Sequence, residues 1–187
     1  MGKIGTRRGD KQVHLKYDEP ELPHTPPKNK DKRKYDNKTH HELCCKAAKW
    51  LRTRWYKNKP YADFAVVEIV TQGYESPDVF GWNSTYSTMI EVKVTHSDFL
   101  NDKKKRIKHN SWNGTVGEYK FYFCPTNIIK VDELPDGWGL LYIDKDDKIT
   151  IEKWGDKLDF NYIGEREIIN SILRREGVKK QIFNYKK

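Results

Sequence analysis

Two runs decide how this chain is read: Ser76-Pro77-Asp78-Val79-Phe80-Gly81-Trp82 and, after a polar turn at Asn83-Ser84-Thr85-Tyr86, Met89-Ile90-Glu91-Val92-Lys93-Val94-Thr95. Apolar runs on either side of turn-forming residues are the pattern of a β-hairpin, with arms expected at residues 77–82 and 88–95. Successive side chains on a strand point to opposite faces, so Glu91 and Lys93 share one face while Ile90, Val92 and Val94 occupy the other. With the turn centred between Ser84 and Thr85, antiparallel pairing sets Asp78 across from Glu91, where facing Cβ atoms lie about 4.5–5.5 Å apart. Two carboxylates that close repel unless a cation stands between them, and a hard divalent ion with oxygen ligands answers that need. Lys93 would aim its ammonium at the same place. The argument depends on register, because a slip of one residue would send a carboxylate to the opposite face.

Upstream, residues 62–70 read as a strand, with Ala65, Val66, Val67, Ile69 and Val70 apolar enough for a central place. Glu68 interrupts it near the level of Asp78 and is a reserve acid for the same site. Earlier still, Leu43, Ala47, Trp50, Leu51 and Trp55 recur at helical spacing and predict an amphipathic helix over residues 40–56. Thr39, with Glu42 three positions on, reads as its capping box. His40 with Cys44 and His41 with Cys45 are spaced to chelate a metal, but each pair offers two ligands and no second cluster finishes a site. Both pairs are therefore read as packing. Residues 1–37 hold ten Lys and Arg against six Asp and Glu with no apolar periodicity, a basic arm that is either merely solvated or ordered by contact with nucleic acid.

Downstream, Ser97 suits the cap of a helix reaching about residue 109, and Asp98 is favourable in its first turn. The run Lys103, Lys104, Lys105, Arg106 and Lys108 begins beside the proposed carboxylates, where phosphate contact and a plain solvated face are both open. Trp112, in a polar loop at 110–117, could stack on a base or shield the helix. Residues 119–124 form the next expected strand, stopped by Pro125, and 139–144 and 148–154 form two more about an Asp146-Asp147 turn. A closing helix at 165–175 carries Ile168, Ile169, Ile172 and Leu173 on one stripe, with Gly177 as its stop. The elements predict a single α/β domain over residues 38–178 with a mixed sheet, followed by a basic tail at 179–187.

Pro77-Asp78 followed by Glu91-Val92-Lys93 resembles the signature of the PD-(D/E)xK nuclease superfamily. The continuation is similar to its MmcB-like branch, described as DNA-repair-related: Ser97-Asp98-Phe99-Leu100-Asn101-Asp102, then Phe121-Tyr122-Phe123-Cys124-Pro125, then Leu134-Pro135-Asp136-Gly137-Trp138-Gly139-Leu140-Leu141-Tyr142. The resemblance covers roughly residues 39–145. It implies a restriction-endonuclease-like α/β core, a mixed central sheet flanked by helices, and metal-dependent hydrolysis of phosphodiester bonds, most directly in DNA. It further implies Mg²⁺ or Mn²⁺ held by Asp78 and Glu91, with Lys93 acting on the attacking water and the developing charge. Glu42 matches the glutamate that such nucleases often bring from their first helix.

Composition limits the rest. With 187 residues the chain suits one domain, and 36 Lys and Arg against 27 Asp and Glu give a formal net charge of +9 that favours a polyanionic partner. Three cysteines, Cys44, Cys45 and Cys124, form neither a disulfide framework nor a four-cysteine zinc or iron-sulfur site. No apolar stretch approaches the roughly 20 residues of a membrane span, and no apolar signal core opens the chain, so a cytoplasmic protein without membrane contact is expected. Short matches to myristoylation and glycosylation patterns are discounted as chance. Two rivals to a nuclease stay open: a nucleic-acid-binding accessory protein of the same fold, and a basic domain that binds a protein partner. The oligomeric state is not specified by these features.

Overall fold

The computed structural model describes residues 32–56, 59–71, 75–108 and 115–177. In chain order the elements are α1 (Lys32–Thr53), a short pair β1 (Trp55–Tyr56) and β2 (Lys59–Pro60), β3 (Phe64–Val67), β4 (Val79–Trp82), β5 (Ser87–Val92) and α2 (His96–Lys108). There follow β6 (Tyr119–Pro125), a 3-10 turn at Val131–Glu133, β7 (Gly139–Ile143), β8 (Ile149–Lys153) and α3 (Tyr162–Arg175). Strands β3 to β8 lie side by side in sequence order in a six-stranded sheet. The pairs β5–β6 and β6–β7 are parallel and the others antiparallel, which makes the fold α/β with a mixed sheet flanked by helices, as expected.

The deciding hairpin forms in the anticipated register, with Val79 opposite Ile90 and Trp82 opposite Ser87. Its turn is held by one side chain: Asn83 Oδ1 accepts from the N–H groups of Thr85 at 2.8 Å and Tyr86 at 3.0 Å. That local bond fixes the loop length, and loop length fixes which residues face one another.

Alternation then sorts the strands into two faces. Val79, Ile90, Val92, Phe121, Phe123 and Leu141 pack with Leu43, Cys44, Ala47 and Leu51 of α1. Phe80, Met89, Tyr122, Cys124 and Leu140 pack with Phe99 of α2 and Ile168 of α3. Gly81 allows the first contact to be close, since a Cβ there would stand 2.8 Å from Leu51 Cδ1 and 3.0 Å from Ala62 Cβ. A parallel pair needs a crossover, and α2 supplies it between β5 and β6.

Several boundaries differ from expectation for identifiable reasons. Helix α1 begins at Lys32, so Thr39 lies inside it and is not its N-cap. The added segment has no proline and several good helix formers, but no apolar stripe that periodicity could detect. The strand expected at 62–70 shortens to Phe64–Val67 because Glu68 takes a left-handed backbone, φ 49°. Thr95, not Ser97, caps α2: its hydroxyl accepts from Asp98 N–H at 3.2 Å while the Asp98 carboxylate accepts from Thr95 N–H at 3.1 Å. Helix α3 starts at Tyr162, capped by Asn161. Residues 1–31 and 178–187, which include most of the expected basic arm and tail, lie outside the described residues. No helix among the described residues is long and apolar enough to cross a membrane.

Candidate functional site

The register of three neighbouring strands lines up three carboxylates. Continuing the pairing of Val79 with Ile90 by one residue sets Asp78 across from Glu91. Continuing Val67 with Val79 sets Glu68 across from Asp78, and Glu68 N–H donates to the Asp78 carbonyl at 2.8 Å. On the other side, Tyr122 of β6 pairs with Glu91. The row lies at the carboxyl end of β5, the edge at which open α/β sheets ordinarily bind ligands.

Glu91 and Lys93 are buried, 6% and 8% exposed, so their charges need partners. Lys93 Nζ donates to Glu91 Oε2 at 3.1 Å and stands 3.7 Å from Asp102 Oδ1. Tyr122 donates its hydroxyl to Asp102 Oδ2 at 2.7 Å, and the Lys93 ammonium lies 5.8 Å from the Tyr122 ring centre. Burial works against the charge on Lys93, but Glu91, Asp102 and Asp78 outweigh it and raise the ammonium above its ordinary pKa. Burial likewise works against the charge on Asp78, whereas the bond to His40, the charge of Lys93 and the Val92 N–H at 2.8 Å hold its carboxyl below the usual range. At neutral pH Lys93 is therefore a cation and Asp78 an anion.

A second group adjoins this one from α1. His40 Nε2 lies 3.4 Å from Asp78 Oδ2, and its Nδ1 lies 3.3 Å from Glu68 Oε1 and 3.6 Å from Cys44 Sγ. The hydrogen bond to Asp78 is the main reason that the His40 pKa is raised. Glu68 Oε2 meets His41 Nδ1 at 2.6 Å. The left-handed turn at Glu68 leaves the strand direction just where its carboxylate reaches these rings, and strain of that kind clusters at functional positions. Donor atoms of His40, Cys44 and Glu68 lie within 4.8 Å of one another. Cys44 does pack in the core, and the end of β3 adds a third donor that sequence spacing could not place beside the helix.

The other sequence candidates have separate fates. Asp78, Glu91 and Lys93 do converge. Glu42 stands about 160° around α1 from His40 at the usual 100° per residue, so His40, not Glu42, is the helix residue directed at Asp78. Lys103 is half-buried and donates to the Glu133 carbonyl at 2.9 Å, while Lys104 and Lys105 are exposed. The side chains of Arg106 and Lys108, and all of Trp112, lie outside the described residues. Asp102 and Tyr122 had no role assigned from sequence. Asp102 follows the buried Phe99 by three residues, which puts it on the inward side of α2, a signal that becomes readable once Phe99 is known as the anchor.

No family model matches the sequence, and no curated protein does. Among solved structures the chain is similar to the SPO1766 protein of unknown function from Silicibacter pomeroyi, at 20% identity and a TM-score of 0.52, over 72% of this chain and 86% of that one. A likeness at that identity is one of fold.

Proposed function

We propose that this protein is a divalent-metal-dependent nuclease, most directly a deoxyribonuclease, that hydrolyses the phosphodiester backbone. The observation that carries the reading is the opposition of Asp78 and Glu91 across β4 and β5, with the Lys93 ammonium bonded to Glu91. Their oxygens are the hard donors that Mg²⁺ and Mn²⁺ take, and the carboxylates of Asp78, Glu91 and Asp102 surround a single lysine, a surplus of negative charge suited to a cation. When bound by Asp78 and Glu91, such an ion would neutralise phosphate charge and lower the pKa of a coordinated water.

The chain's own groups have distinct tasks in this reading. Lys93, whose raised pKa keeps it protonated, serves as a charged donor to the phosphate oxygen on which charge develops and not as a base. Asp102, held by Tyr122, keeps the ammonium oriented. The exposed Lys104 and Lys105 on α2 are placed for sequence-independent contacts to the backbone, and the net charge of +9 favours the encounter. Free thiols at Cys44, Cys45 and Cys124 suit a reducing cytoplasm.

One observation favours a second reading. Lys93 is engaged in a buried ion pair, so the cation pocket is partly neutralised by the protein itself, as it would be in an inactive nucleic-acid-binding accessory protein. Incubating plasmid, linear and single-stranded DNA with Mn²⁺ separates the two. Cutting that disappears in Asp78→Ala and Lys93→Ala supports the nuclease. Salt-sensitive DNA binding without cutting on every substrate supports the accessory protein.

A further inference from the structure

The geometry points to a second metal site, separate in chemistry from the carboxylate pair: a transition-ion site of the Zn²⁺ class, with His40 Nδ1, Cys44 Sγ and Glu68 Oε1 as ligands. Mixed nitrogen, thiolate and carboxylate donors are what Zn²⁺ and its neighbours take, and what Mg²⁺ avoids. Metal–ligand lengths of about 2.0–2.1 Å to nitrogen, about 2.3 Å to sulfur and about 2.0–2.2 Å to oxygen place tetrahedral edges near about 3.6 Å for sulfur to nitrogen and about 3.3 Å for nitrogen to oxygen. The corresponding separations here are 3.6 Å and 3.3 Å. The remaining edge is within 4.8 Å, so a small rotation of the exposed Glu68 side chain closes the set.

The surroundings are built for the same purpose. A metal-bound histidine commonly donates its other ring nitrogen to a carboxylate, which fixes the tautomer and the ring plane. His40 Nε2 faces Asp78 Oδ2 at 3.4 Å, leaving Nδ1 directed at Cys44 and Glu68. The ligating carboxylate is oriented as well, because Glu68 Oε2 meets His41 Nδ1 at 2.6 Å. Burial, with the charges of Asp78 and Glu68, keeps the Cys44 thiol protonated in the absence of metal; on binding, the Sγ–H proton passes to solvent and the thiolate takes its place on the cation. Three protein ligands leave a fourth position for water or a phosphate oxygen, the coordination of catalytic zinc sites. Through His40 and Asp78 the new site touches the proposed nuclease centre, yet it does not require that reading.

Titration of the reduced full-length chain with Co²⁺ tests the proposal without measuring activity. A thiolate-to-cobalt charge-transfer absorption should grow to one Co²⁺ per chain and be displaced by Zn²⁺. Cys44→Ser should abolish the band, Glu68→Gln should weaken Co²⁺ binding at least tenfold with circular dichroism unchanged, and Asp78→Asn should keep the band with about tenfold weaker binding. Glu91→Gln should leave it intact while removing DNA cutting, so that failure of the nuclease reading and failure of this one are told apart. A folded wild-type chain without the band overturns the site. So does a band that survives Cys44→Ser and disappears in Cys45→Ser, and so does an unchanged affinity in Glu68→Gln, which tolerates substitution because its side chain is exposed.

Discussion

Two buried polar clusters lie at opposite ends of one face of the sheet, and both contain a lysine and a carboxylate. At the carboxyl end of β5 stand Glu91, Lys93 and Asp102, with Asp78 and Glu68 beside them. At its amino end, Lys120 is fully buried and donates to the carbonyls of Gly117 and Asp159. There Glu165 accepts from Ser87 Oγ at 2.6 Å and Gly117 N–H at 2.8 Å, and Ser87 Oγ accepts from Glu118 N–H at 3.1 Å. Residue types do not distinguish the two; their partners do. Main-chain groups supply most of the partners in the second cluster, and they move only if the fold moves. Ring and ammonium groups on rotatable stems hold most of the first, and an ion or phosphate can displace them. The second holds α3 and β6 on β5, and the first is the cluster on which the proposed chemistry rests.

The largest test of that contrast is activity. Glu91→Gln or Lys93→Met should lower Mn²⁺-dependent cutting of plasmid DNA by at least about 100-fold, the scale for removing one preorganised charged group. Lys120→Met, at the other end, should leave metal affinity and any cutting per folded molecule unchanged. It should instead lower unfolding free energy by about 2–3 kcal/mol, because the buried Gly117 carbonyl and the part-buried Asp159 carbonyl lose this donor. Urea denaturation measures this, and a Lys120 variant that loses activity at full stability would erase the distinction between the clusters. Ser87→Ala should cost less, about 1–2 kcal/mol, for the hydroxyl that links Glu165 to the Glu118 amide.

The smallest effects are in pH dependence and carry opposite signs. Glu165 has its pKa raised above the ordinary 4.5, first by burial, so the folded state holds that proton more tightly than the unfolded chain. Its contribution to stability is therefore undiminished below pH 4.5 and declines as pH rises from there through the folded value. Glu165→Gln keeps the acceptor oxygen, so its stability relative to wild type should be flat in acid and rise above pH 4.5. Asp78 is depressed below the ordinary 3.8, so its contribution is present above that pH and is lost as pH falls through the folded value. Asp78→Asn should accordingly be least damaging in strong acid. Urea midpoints from pH 2.5 to 7 for both variants check the two slopes; slopes of the same sign would mean the clusters are electrostatically alike.

Much of the first cluster was legible in the sequence. Two apolar runs around Asn83-Ser84-Thr85-Tyr86 were enough to oppose Asp78 and Glu91, and Glu68 fell at their level. The second cluster was not legible, since Lys120 and Glu165 belong to different elements that meet only through tertiary packing. Asp102 escaped for a similar reason: its helix was expected, but nothing in the spacing says how that helix rolls on the sheet. The resemblance points to Glu42 on the first helix, while the rotation of α1 about Cys44, Ala47 and Leu51 brings His40 to Asp78, a placement that helical spacing alone does not specify.

What the order of residues determined alone is the hairpin, and with it the facing of Asp78 and Glu91, because a strand alternates every two residues and a four-residue turn leaves one register. Where α1 lies across the strand ends is decided by packing, through Gly81, which admits Leu51, and through the Leu43 to Leu51 stripe. That packing brings His40 and Cys44 to Glu68. Contacts between elements distant in the chain follow from the shapes of two packed surfaces, and no local periodicity encodes those.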